Sequence, residues 1–156
     1  MRKNSANYKK PLIMLVLLMI PAFLTAQTAR ELETVLEAPA VTCAQAAYFV
    51  YSSREGSTRS TRPETAFEQA LERGWVPQGT TQAESITLGK LSLLLMKAYD
   101  IKGGMMYAIF PGPRYAFKTM VSRSFIQGTA DPSMTVSGEQ FLLILGNVLE
   151  AMGANE

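Results

Sequence analysis

The chain has 156 residues, 47% of them hydrophobic, with one cysteine, no histidine and a formal charge of +2. Without histidine there is no Ser-His-Asp or Cys-His catalysis, no histidine-ligated zinc or haem and no imidazole pH switch. A single cysteine cannot close an intramolecular disulfide, hold an iron–sulfur cluster or complete a Cys-x-x-Cys pair, and the length suits one compact domain.

Taken from the start, residues 1–10 carry Arg2, Lys3, Lys9 and Lys10 and no acid, and the apolar run Leu12 to Leu24 follows, 13 residues long. This predicts a secretory signal peptide over 1–26, because the run fits an h-region yet falls short of the ~20 residues that span a bilayer. Pro21 also argues against a continuous span. Cleavage is expected after Ala26; the bulky Leu24 at the −3 place leaves Ala22 and Ala29 as other boundaries and an uncleaved signal anchor as the alternative. Cys43 lies too far downstream to be a lipoprotein cysteine. Removing residues 1–26 leaves 11 of the 15 bases against 13 acids. A balance so near neutrality makes no electrostatic case for nucleic acid, and it leaves the signal segment, if uncleaved, as the membrane contact. The expected location is the periplasm or outer envelope.

Past the leader, the sequence predicts an all-α domain over 27–156 with short extended links. A unit over about 35–51 opens its helix at Thr42. The segment Ser52 to Arg62 is polar and reads as a loop. The next unit, about 64–99, begins after Pro63, which suits a helix start. Ala66, Phe67, Ala70 and Leu71 give it an apolar stripe, while Glu64, Glu68 and Glu72 take the solvated face. Gly74 ends that helix by allowing a left-handed backbone, and Trp75-Val76 turns inward. A second helix follows Thr87. Residues 102–113 hold Met105, Met106, Tyr107, Ile109 and Phe110 between Gly103-Gly104 and Pro111-Gly112-Pro113, which predicts a short buried turn or helical stub. The last unit, about 114–149, is helical from Tyr115 to Arg123, turns Phe125-Ile126 inward, loops through Gly128 and Asp131-Pro132, and opens its second helix at Ser137.

These units repeat. A shift of 50 residues places Ala66-Phe67 on Ala116-Phe117, Arg73 on Arg123, Trp75-Val76 on Phe125-Ile126, and Leu93 to Leu95 on Leu143 to Leu145 without a gap. The second half of the unit occurs a third time, upstream, at Val41 to Val50. The chain therefore reads as one partial and two complete helix-loop-helix units. Thr42, Thr87 and Ser137, each after a β-branched residue, are N-caps. Gln45 and Gln140 complete capping boxes, and Lys90 stands at that place in the middle unit.

The pattern Arg73-Gly74-Trp75-Val76, loop, Ile86-Thr87, helix, with its counterpart Phe125-Ile126-Gln127-Gly128, Asp131-Pro132 and Val136-Ser137-Gly138-Glu139, resembles the S-layer homology (SLH) repeat. It is similar in particular to SLH-like domains of spirochaetal envelope proteins. The resemblance covers about residues 35–150. It implies three units packed as a pseudo-threefold spindle with ligand grooves between them, an envelope location, and a non-enzymatic module bound to cell-wall glycan or to another envelope protein. The arginine of the family's Thr-Arg-Ala-Glu box is replaced here by Cys43, Leu88 and Gly138.

Candidate ligand contacts are Arg73, Trp75, Lys90 and Arg123. Arg73 and Arg123 could fork onto a sugar carboxylate, or complement the helix dipole at their C-terminal positions. Trp75 could stack on a pyranose, or pack in the core like Phe125. The loop arginines Arg54, Arg59 and Arg62 could touch an anionic polymer or simply solubilise the loop. Cys43 lies in the first turn of its helix, where the dipole lowers a thiol pKa; it reads by default as a buried small apolar residue and, if exposed and unpaired, as a thiol that could bridge a second chain. Nothing in the pattern supplies catalytic residues, metal ligands or a cofactor motif.

Overall fold

The computed structural model describes residues 30, 32–55, 62–128 and 130–153. The predicted signal peptide with its cleavage boundaries lies outside the described residues, as do positions 56–61 of the polar loop. The chain divides into two units, Met1–Thr34 and Val35–Glu156. In the first, residues 30 and 32–34 are helical, and Thr34 Oγ1 donates to the Arg30 carbonyl at 2.8 Å. The second holds α1 (Cys43–Glu55), α2 (Pro63–Glu72), α3 (Leu88–Ala98), α4 (Met105–Ile109), α5 (Pro113–Ser122) and α6 (Gly138–Gly153). Among the described residues the chain is mostly helical, and β-pairing is confined to isolated bridges at Thr42–Ser85 and Thr87–Thr135.

Local chemistry sets the helix starts. Thr42 and Gln45 form a reciprocal box: the Gln45 N–H donates to Thr42 Oγ1 at 3.2 Å and the Thr42 N–H to Gln45 Oε1 at 2.9 Å. Thr87 Oγ1 accepts from the Lys90 N–H at 3.4 Å, and Ser137 Oγ from the Gln140 N–H at 3.3 Å. The box predicted at 137–140 is only half made, since Gln140 returns no bond. α2 and α5 both begin on proline, whose fixed φ and missing donor suit the first turn.

The helix ends share one geometry. After α2, the Trp75 N–H reaches the Ala70 carbonyl at 2.8 Å and the Gly74 N–H reaches Leu71 at 3.0 Å, with Gly74 at φ +68°. These paired bonds form a Schellman motif, whose turning residue must be left-handed. After α5 the same bonds run from Phe125 to Met120 and from Ser124 to Val121, and Ser124 takes φ +61°. After α3 the Ile101 N–H reaches Met96 at 2.9 Å and Asp100 sits at φ +56°. Two of the three turns therefore put a Cβ where glycine is favoured.

The links preceding α1, α3 and α6 meet in a closed ring of backbone hydrogen bonds. Ile86 N–H donates to Val41 O at 2.8 Å, Val41 N–H to Val136 O at 2.8 Å, and Val136 N–H to Ile86 O at 3.1 Å. All three side chains are fully buried. One residue past each cap, the N–H of Cys43 reaches Glu84 O, that of Leu88 reaches Met134 O and that of Gly138 reaches Ala38 O, each at 2.9 Å. A helix start leaves its first N–H groups without intrahelical partners, and here the neighbouring link supplies the carbonyl.

Around this ring α1 packs on α2 and on α3, α3 on α5, and α4 on α5. α3 is the central element: nine of its 11 residues are buried, so it is apolar on every side. Leu91, Leu94 and Leu95 are fully enclosed, each contributing roughly 1.5–3 kcal/mol by leaving water.

α1 continues to Glu55, so residues 52–55 are helical and the unit does not stop at 51. Tyr51 is buried in the last turns, and that packing extends the helix beyond its polar boundary. The segment at 102–113 does form a helical stub, yet it is not buried: Met105 is 79% exposed, Ile109 59% and Phe110 58%. Only five residues long, the stub rests on α5 through Tyr107 and leaves its other side chains outward.

Candidate functional site

The turn after α2 brings together residues from two predicted units. Arg73 caps the helix and Trp75 folds back beneath it. The Arg73 guanidinium lies 5.0 Å from the Trp75 ring centroid and 5.3 Å from that of Tyr51, while Arg54, in the last turn of α1, lies 5.3 Å from Trp75 on its own account. Both arginines are exposed; Trp75 and Tyr51 are only 5% and 4% exposed. Two solvent-facing cations thus stand on a buried aromatic floor. Stacking on a ring holds a guanidinium in place, and guanidinium is a cation that suits carboxylate and phosphate geometry. Buried as it is, the indole cannot be the platform on which a sugar ring stacks, and the core role is the one it fills.

The other predicted contacts lie apart from this pair. Lys90 is half-buried and its Nζ donates to Glu84 Oε1. That bond, followed by the Thr81 N–H donated to Oε2 at 3.1 Å, holds the Glu84 carboxyl below the usual range. Lys90 is thereby committed to an ion pair rather than open to a ligand. Arg123 is exposed at the end of α5 and donates from Nη2 to the Lys102 carbonyl at 2.7 Å. It has the helix position of Arg73 without its aromatic bed. Thr42, Thr87 and Ser137 serve as caps.

Cys43, Leu88 and Gly138, each the residue that follows its cap, are all buried. Their backbone N–H groups face the adjacent link, so an arginine there would enter the core. Burial, reinforced by the Glu84 charge and opposed by Lys90, pushes the Cys43 thiol up to about 11, against the lowering expected from the helix start. A buried neutral thiol is poorly suited to nucleophilic chemistry or to an intermolecular disulfide. Among the described residues no group of three or more His, Cys, Asp or Glu side chains converges as metal ligands, and no helix is long and apolar enough to cross a membrane.

In the sequence Arg54 stands as a loop cation, and Tyr51 carries no motif. Arg54 follows Tyr51 by three residues, a spacing that shares a helix face, but that signal has meaning only once α1 is known to run past residue 51. Comparison with protein-family models, curated proteins and solved structures finds no match.

Proposed function

We propose that this chain is a non-enzymatic, exported module of the cell envelope, made of SLH-like units about a pseudo-threefold axis. It associates with the cell wall through an anion-binding face centred on Arg54 and Arg73. The observation that carries this reading is the pair of exposed guanidiniums stacked on one buried indole, a fixed double cation suited to the carboxylates of a muramyl glycan. The closed ring through Val41, Ile86 and Val136 supports the three-unit arrangement, since each link donates to one neighbour and accepts from the other. Retention of the chain on purified peptidoglycan is the test. The wild-type chain is expected to be retained above an albumin control and released by salt, and the Arg54→Gln/Arg73→Gln variant to be lost with unchanged circular dichroism. Retention no greater than albumin, or equal in the variant, overturns the wall-binding reading.

A second reading, an assembly subunit that binds no glycan, is favoured by Leu143 and Leu149, exposed on α6 on either side of exposed Gly146. Light scattering showing a strict monomer, together with no crosslinked partner in cells, would sink it.

A further inference from the structure

We propose that the α4–α5 face docks the protein onto the headgroup region of an anionic phospholipid membrane. It stands independently of the arginine pair and extends membrane contact beyond the signal segment considered from sequence. The stub carries Met105, Met106, Ile109 and Phe110 outward, each about half exposed or more. Met105, Met106 and Ile109 lie on α4 and Phe110 follows its last residue, so an apolar tip of four exposed side chains spans six residues.

Behind the tip the chemistry changes in order. Phe110 stacks on Tyr115 with ring centroids 6.3 Å apart, and Lys118 Nζ lies 5.8 Å from the Tyr115 ring. Met105, Met106, Tyr115 and Lys118 line one shallow depression, so apolar tip, tyrosine and ammonium are contiguous. Apolar, then amphipathic aromatic, then cationic is the sequence of layers from the hydrocarbon boundary to the headgroups, where tyrosine and lysine are favoured in that order.

Charge selects the anionic lipid. Residues 101–123 contain Lys102, Arg114, Lys118 and Arg123 and no acid, although the whole of Val35–Glu156 is close to neutral. Two acids approach from outside that segment: Asp100 lies 3.6 Å from Lys102, and Asp131 shares a second depression with Arg114 and Lys118. Even counting both, the segment 100–131 keeps a positive balance, and juxtamembrane cations gain from a negative leaflet within a Debye length.

The test places a reporter at the tip. The full-length chain bearing Phe110→Trp is mixed with phosphatidylglycerol/phosphatidylcholine vesicles and with phosphatidylcholine alone, and emission is compared with that of the parent chain, whose tryptophan is buried. The expected result is a blue shift and quenching by brominated acyl chains with the anionic vesicles, weakened by salt. Adding Met105→Ser and Ile109→Ser should weaken partitioning by about tenfold or more, because both side chains would lose their burial in the interface. The proposal is overturned if the chain sediments with vesicles while the tip reporter stays unshifted, which would mean attachment through another segment. It is also overturned if neither vesicle is bound, if neutral vesicles bind equally well, or if the same two substitutions dissolve a dimer and show that a second copy covers the face.

Discussion

Gly138 tests the contact between α6 and residues 35–38 most directly. It is the first residue of α6, where Gly→Ala ordinarily stabilises a helix by about 0.5–1 kcal/mol. Here a Cβ would lie 1.5 Å from the Val35 carbonyl oxygen, 2.6 Å from its carbon and 3.0 Å from the Leu36 oxygen. All are backbone atoms, so no side-chain rotation relieves the clash. The segment 35–38 and the start of α6 must separate, which strains packing at ~1–3 kcal/mol. Separation also stretches the buried 2.9 Å bond from the Gly138 N–H to Ala38, adding about 1–3 kcal/mol if that donor is left unpaired. Gly138→Ala should therefore destabilise by roughly 2–5 kcal/mol, opposite in sign to the propensity effect. Gly146→Ala, in the same helix with open space around the added carbon, should be neutral or stabilise. Urea unfolding followed by circular dichroism measures both midpoints. If Gly138→Ala matches or exceeds the parent chain, the contact between α6 and residues 35–38 is wrong.

Ser124→Gly and Asp100→Gly should each stabilise by about 1 kcal/mol, since both residues hold left-handed backbone at a helix end; thermal melts that fall for both would contradict those turns. The buried neutral Cys43 thiol gives an alkaline dependence. Its folded pKa is raised above the ordinary 9.0 to about 11, so its contribution is complete below pH 9 and is lost as pH rises toward 11. Tyr99 and Tyr107, both raised by burial, push in the same direction at higher pH. Between pH 9 and 11 the parent chain should lose roughly 2–3 kcal/mol more than Cys43→Ala does, read from urea midpoints at each pH, and parallel losses would refute a buried thiol.

Helix starts, and the stop at Gly74, were legible because their causes are local. A hydroxyl before an apolar run, a proline at a first turn and a residue in left-handed backbone each act within about five residues, and the sequence displays them side by side. The 50-residue register likewise anticipated that Arg73 and Arg123 would hold matching helix positions, yet not that one would stack on two rings and the other bind a carbonyl. That difference depends on α1 continuing past residue 51, which sequence polarity concealed.

The apolar segment at 102–113 shows the limit most plainly. Hydrophobic composition predicts burial, but burial requires a surface that encloses the side chain, and of the large apolar residues at 105–110 only Tyr107 is half-buried against the core. By itself the amino-acid sequence determined an all-α class, three capped helix starts and the inward turn of Trp75-Val76, because capping and backbone preference are set by neighbours in the chain. Tertiary packing alone closes the three links into a hydrogen-bonded ring, commits Lys90 to Glu84, brings Arg54 beside Arg73 and leaves Met105, Met106, Ile109 and Phe110 outward. Each of these depends on which surfaces meet, a property of residues far apart in the chain.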